Sequence, residues 1–133
     1  MDISHGCFSG SPVTFDGLRL MWAQMAGYGV TDFRDRGGPV VPNIDYASFN
    51  DGDFLGEWPE GAPDDPLVIL LIHIEDKGRI KTTHCPYLAD RLEELEGRLM
   101  PPFINTPAWV LLTQQFVRGL RTAAAYNQDV VFS

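Results

Sequence analysis

Three basic side chains spaced by two, Lys77, Arg79 and Lys81, follow closely on a histidine and a carboxylate, His73 and Glu75. That set could do two kinds of chemistry. His73 with Glu75 could be a base and the group that orients it, or two metal ligands. The basic trio could hold a phosphate or carboxylate through charge-assisted hydrogen bonds. Each has a plain structural alternative. The histidine could donate to a backbone carbonyl with Glu75 already in water, and the lysines could be the charges that keep a strand edge from aggregating.

A second candidate is "SHGCFSGS", residues 4 to 11. Backbone amides at a helix start, with the Ser9 and Ser11 hydroxyls, suit an anion. The Gly-Lys-Ser/Thr ending of a P-loop is missing, so a helix cap with a flexible lead-in is the competing reading. His5, Cys7, His84 and Cys85 make a poor zinc set, because adjacent His84 and Cys85 do not easily face one tetrahedral ion. "NDGDF" at 50 to 54 lacks the remaining ligands of a calcium loop. No metal and no cofactor is expected. Nucleophile elbow, H-E-x-x-H and dinucleotide fingerprint are all missing. No catalytic residue is assigned, and an enzyme would have to draw on His73, Glu75, His5 or His84.

Positioning these groups falls to elements that the pattern places. Ser11 can cap a helix opened by Pro12, whose apolar stripe is Phe15, Leu18, Met21, Trp22 and Met25, with Gly27 or Gly29 as its stop. Residues 30 to 39 read as a polar loop, and 40 to 46 as an edge strand with Pro42. From Asp45 to Asp65 the chain carries seven acids and no base. This reads as an irregular excursion with one helical turn near 53 to 58, pinned by Phe49, Phe54, Leu55 and Trp58. The run "LVILLIHI" from residue 67 reads as a central strand that brings His73 and Glu75 to its C-terminal end. "EDKG" reads as a tight turn and "RIKT" as the returning strand. Thr82 or Thr83 can cap a helix carrying Leu88, Leu92, Leu95 and Leu99. Thr106 and Pro107 open a last helix with Trp109, Leu112, Phe116 and Leu120 inside, closed by Asn127, and "VVF" reads as a final strand. The expectation is a single α+β domain, 1–133, with three main helices on a small mixed sheet.

Composition narrows the partners. The 133 residues carry a net charge of −8, with 10 Lys and Arg against 18 Asp and Glu. Such a surface lacks the basic face that phosphate-backbone binding needs, so no nucleic acid is expected. No apolar stretch approaches the roughly 18 residues of a membrane span. With no basic-then-apolar leader visible, the expected location is the cytoplasm. Cys7 and Cys85 read as two free thiols. A homo-oligomer is left open.

The order of motifs "HGCFSG", a long apolar run ending in His, "LADRLEELE" and "TQQFVRGLRTAAA" before a short terminal strand resembles an uncharacterised family of small actinobacterial and phage proteins. That family ends its strand with His-Ser-Asp-Cys-Asp-Gly. Here the stretch reads "HIEDKG": His73 and Gly78 match, Glu75 stands for an acid, and Ile74, Asp76 and Lys77 depart. The resemblance implies a phage or prophage setting and no activity.

Three functions are compatible with these residues. The first is a non-enzymatic binding protein for a small anionic ligand, plausibly a nucleotide, such as a counter-defence sponge, with His73, Glu75, Lys77, Arg79, Lys81, Ser9 and Ser11 around it and Trp58 or Tyr87 stacking on a base. The second is a protein–protein module that docks its acidic 45–65 segment on a basic host protein. The third is a hydrolase or transferase built on His73 and Glu75.

Overall fold

A computed structural model of the chain describes residues 1–29, 32–33, 39–40, 44–58, 61, 63–74, 76–98 and 106–133. Helix α1 (Pro12–Met25) forms as its pattern predicts. Ser11 Oγ accepts the Thr14 N–H at 3.1 Å, which satisfies one of the free donors of the first turn. Gly27, at φ +89°, turns the chain away after the helix. Phe15, Leu18, Met21 and Trp22 are buried, and Met25 packs at the edge of the core.

Residues 67–72 correct the expected central strand. They form a helix, α3 (Leu67–Ile72), and all six side chains are buried. Fewer than two turns of fully buried helix have no polar face, so six apolar residues in a row carry the same pattern in a helix and in a covered strand. Groups at the two ends decide the matter. Asp65 Oδ1 accepts the Leu67 N–H at 3.0 Å. At the other end Arg19, on α1, donates from Nη1 to the carbonyl oxygens of Leu70 (3.0 Å) and His73 (2.7 Å). Helix ends leave such carbonyls without an internal partner. The guanidinium is itself fully buried, paired with Asp16 at 2.8 Å and lying 4.5 Å over the Phe15 ring.

A small sheet closes the other side of the core. Strand β1 (Asp2–Ile3) pairs antiparallel with β2 (Phe8–Ser9), and β5 (Arg79–Ile80) with β6 (Val130–Val131). The returning strand therefore does pair, but with the C-terminal strand and not with residues 67–72. An Ile3–Phe132 bridge and the reciprocal bonds between Asp2 and Ser133, both 2.9 Å, join the two ribbons. The resulting order is β2-β1-β6-β5, with the last strand in the interior. Phe8, Ile3, Phe132, Val130 and Ile80 point to the core, while Ser9, Asp2, Ser133, Ser4, Val131 and Arg79 share the outer side.

A further pair, β3 (Asp32–Phe33) with β4 (Pro39–Val40), lies where a loop was expected. Of the edge strand read at 40–46, Val40 pairs in β4, residues 41–43 lie outside the described residues, and Tyr46–Ser48 forms a 3-10 turn that Asp45 caps. A short helix, α2 (Asp51–Phe54), then appears slightly earlier than the turn expected at 53–58. Its segment is pinned as expected: the Phe49 ring meets Trp58 edge-on at 5.4 Å, and the Phe54 and Leu55 carbonyls accept from the Ile74 and Arg79 amides.

Helix α4 (Cys85–Glu96) follows a 3-10 turn, Thr82–His84, and packs against α5 (Thr106–Ala125). Leu88, Leu92 and Leu95 on α4 and Phe116 and Leu120 on α5 are all fully buried, and Leu99 lies outside the described residues. Neither Thr82 nor Thr83 supplies a side-chain cap; the Thr82 N–H goes instead to Asp129 Oδ1 at 2.9 Å. Asn127, at φ +53°, ends α5 in the left-handed region. The class is α+β as expected, and among the described residues every strand pair is antiparallel, so the sheet is not mixed.

Candidate functional site

The outer side of the sheet gathers the polar groups. Arg79 lies opposite Val131, and Val131 exchanges backbone and side-chain bonds with Ser4 on the next strand. Arg79 and Ser4 therefore flank one exposed residue in a single cross-strand row. The Arg79 side chain is half exposed, and its only described partner is Asp129 at 3.5 Å. So loose a contact leaves most of the guanidinium donors facing water. Lys77 is exposed in the turn just before β5. Ser9, on β2, sits three strands from Arg79, its hydroxyl on Asp2 Oδ1 at 2.8 Å.

The hairpin turn beside this row holds a second polar array. Ser4 to Cys7 close a two-residue loop, with the Cys7 N–H on the Ser4 carbonyl at 3.2 Å and positive φ at both His5 (60°) and Gly6 (71°). His5 Nε2 lies 2.8 Å from Gln128 Oε1, and His5 Nδ1 lies 3.1 Å from Ser4 Oγ. An amide oxygen only accepts, so Nε2 carries the proton and Nδ1 accepts from the Ser4 hydroxyl. The Val131 N–H donates to the same Ser4 Oγ at 2.8 Å. His5 was expected only as one scattered candidate. Ser4 and Gln128 were not singled out, since Gln128 reaches His5 across 123 residues of sequence and leaves no local signal.

The other expected residues do not join this face. His73 is fully buried on the inner side, its ring stacked on Phe132 at 3.9 Å and 29°. Its Nε2 donates to the Lys77 carbonyl at 2.6 Å, so the histidine closes the turn between α3 and β5. Glu75 lies outside the described residues. Lys81 donates to the Trp58 carbonyl at 3.2 Å, and its own carbonyl accepts from the His84 amide. His84 is buried; burial and the neighbouring Lys81 charge hold its ring below the usual histidine range. The Ser11 hydroxyl is engaged in the α1 cap and with Thr14 Oγ1. Trp58 is packed edge-on to Phe49 and has no face to offer a base.

Two surface clefts lie elsewhere, on either side of α4. The first, about 540 Å³, is lined by Asp64, Asp65, Tyr87, Asp90, Arg91 and Glu94. The second, about 470 Å³, has Glu93, Glu96, Gln114 and Arg118. Their carboxylates are largely engaged: Arg91 grips Asp65 and Glu94, Arg98 meets Glu94, and Arg121 bridges Asp90 and Glu93. Hydrogen bonds from Arg91, Tyr28 and the Leu67 amide outweigh burial, which acts to raise it, and hold the Asp65 carboxyl below its usual range. Neither cleft is lined by any of the six expected binding residues that are described.

The cysteines are free and buried. Burial pushes both thiols up to about 12, with Cys85 adding to the effect on Cys7 and Asp129 to that on Cys85. Among the described residues no group of His, Cys, Asp and Glu is arranged to hold a metal ion, and no helix is long and apolar enough to cross a membrane. No known family, curated protein or solved structure matches the chain.

Proposed function

We propose that the protein binds a small anionic ligand on the outer face of the β2-β1-β6-β5 sheet. One observation carries the reading: the register that aligns the half-exposed Arg79 with Ser4 and the His5 turn. A phosphate or carboxylate there can displace Asp129 from Arg79 and receive a bidentate guanidinium contact. Lys77, exposed in the adjoining turn, adds a second positive charge two residues away. Against a net charge of −8 the ligand is captured by these local groups and not by the long-range field. Tyr87, offered above as a base platform, lines the acidic cleft instead. The proposal therefore rests on the anionic group, of which a nucleotide phosphate is one kind. A counter-defence sponge is a special case of it and stands on the family resemblance alone.

Thermal-shift titration with phosphate, citrate and nucleoside phosphates tests this. Ligands that stabilise the wild type should lose their effect on Arg79→Glu. An equal shift in that variant removes Arg79, and with it the proposed site.

The acidic clefts favour a second reading, docking on a basic protein. Within the excursion Asp45 and Asp53 serve local helical turns and Asp65 is held by Arg91, which leaves Asp64 as the carboxylate it brings to this cleft. The face on offer is α4, with Tyr87 exposed beside Asp64 and Asp90. Partner capture through that face would fall steeply with salt and with Asp64→Lys, and would ignore Arg79→Glu.

A further inference from the structure

Ser4, His5 and Gln128 form one hydrogen-bonded chain beside the Arg79 row, and its chemistry goes beyond anion binding. The links are 3.1 Å from Ser4 Oγ to His5 Nδ1 and 2.8 Å from His5 Nε2 to Gln128 Oε1. Both fall within the reach expected of a nucleophile, its base and the group that orients the base. We infer that this array is an acyl-transfer site, with Ser4 as nucleophile, His5 as general base and Gln128 as the residue that positions the imidazole.

Each role follows from a named contact. Gln128 accepts the Nε2 proton, which leaves the Nδ1 lone pair facing the Ser4 hydroxyl. The ring is held from the opposite edge by a side chain 123 residues away. The left-handed backbone of His5 turns a residue adjacent to the serine so that its ring reaches back to Oγ. The Val131 N–H takes one lone pair of Ser4 Oγ, the hydroxyl proton points to His5, and the second lone pair is left for attack. Ser4 and His5 are partly exposed and Gly6 is exposed, so a reacting carbonyl can approach from solvent.

The step balances with water as the only co-reactant. Ser4 Oγ forms a bond to the carbonyl carbon of an ester as its proton passes to His5 Nδ1. The tetrahedral intermediate collapses, the bond to the leaving alkoxide breaks, and Nδ1–H protonates that oxygen. Water then attacks the acyl-serine and gives a proton to Nδ1; the acyl–Oγ bond breaks, Nδ1–H returns its proton to Ser4 Oγ, and the carboxylic acid leaves with both residues restored. The two clefts flank α4 and not this turn, whose open setting suits small esters with good leaving groups. A preference for esters bearing an anionic group, placed toward Arg79, rests on the binding reading above; the acyl-transfer chemistry does not.

The full-length protein should be treated with a fluorophosphonate and mapped by mass spectrometry, in parallel with hydrolysis of 4-nitrophenyl acetate. The expected result is an adduct on Ser4 and a nitrophenolate release that falls about a hundredfold, to background, in Ser4→Ala and His5→Ala. Gln128→Ala should slow it about tenfold at an unchanged melting temperature. Gln128→Glu should keep the rate and move the pH–rate midpoint upward, because a carboxylate at Nε2 favours the imidazolium. Labelling elsewhere, or equal hydrolysis by Ser4→Ala, overturns the assignment; the wild-type label is informative even if that variant folds poorly. A 4-nitrophenyl hemisuccinate arm separates the two readings. Loss of its advantage over the acetate in Arg79→Glu upholds the anionic preference, and the lack of any advantage in the wild type removes that preference while leaving the acyl transfer standing.

Discussion

Gly56 and Gly78 lock two segments together. A Cβ on Gly56 would overlap the Arg79 carbonyl oxygen, and one on Gly78 would overlap the Leu55 carbonyl oxygen. Both residues have positive φ, 82° and 80°, and the Arg79 N–H bonds the Leu55 carbonyl between them at 2.9 Å. The acidic excursion is thereby held against the β5 strand that carries Arg79.

Alanine at either glycine meets two costs at once, a left-handed backbone and an overlap with main-chain atoms that move only with their strand. Gly56→Ala and Gly78→Ala should each lose about 2 kcal/mol or more in urea denaturation. A loss below about 0.5 kcal/mol, the range of neutral surface changes, would show that the crossing yields easily.

Arg19 sets the fate of residues 67–72, and its replacement should tell. Arg19→Met keeps bulk over Phe15 but leaves the Leu70 and His73 carbonyls without their donor. A loss of about 3 kcal/mol is expected, as for breaking one side of a buried charged contact. Amide exchange should quicken across 67–73 before it does in α5. Uniform exchange across the chain would argue that Arg19 only fills space.

Two groups give stability different pH windows. The Asp65 carboxyl is depressed in the folded chain, so its contribution is complete above the unfolded value near 4 and is lost as pH falls below it. The His84 ring is depressed too, by burial and Lys81, so its cost appears earlier, as pH falls below the unfolded value near 6.5. Stability should decline in two stages on acidification. His84→Gln should flatten the first and Asp65→Asn the second, read from denaturant midpoints at stepped pH.

Cys7 and Cys85 should resist thiol reagents in the native state. A thiol held near 12 and not near 9 has roughly a thousandth of the thiolate at pH 8, apart from its burial. Stopped labelling with a chromogenic disulfide should count no fast thiol in buffer and two in denaturant. Rapid reaction of Cys7 in buffer would mean that the hairpin turn, which packs Cys7 against Gly119, opens readily, and rapid reaction of Cys85 would mean the same of the start of α4.

Much of the frame is legible along the chain because it depends on neighbours a few residues apart. The spacing of Phe15, Leu18 and Trp22 marks α1, that of Leu88, Leu92 and Leu95 marks α4, and Ser11, Gly27 and Asn127 carry their own end signals. The pinned excursion and the two free thiols were legible as well. What tertiary structure alone decided depends on partners far away in sequence. Residues 67–72 are helical because Arg19 and Asp65 satisfy their ends, and no periodicity within six apolar residues can record that. His73 turned inward for the same reason, since its carbonyl and ring are held by Arg19, Lys77 and Phe132. Ser4, His5, Gln128 and Arg79 meet because β6 lies between β1 and β5. Strand order is a property of long-range pairing, and local propensity carries no record of which strands will pair.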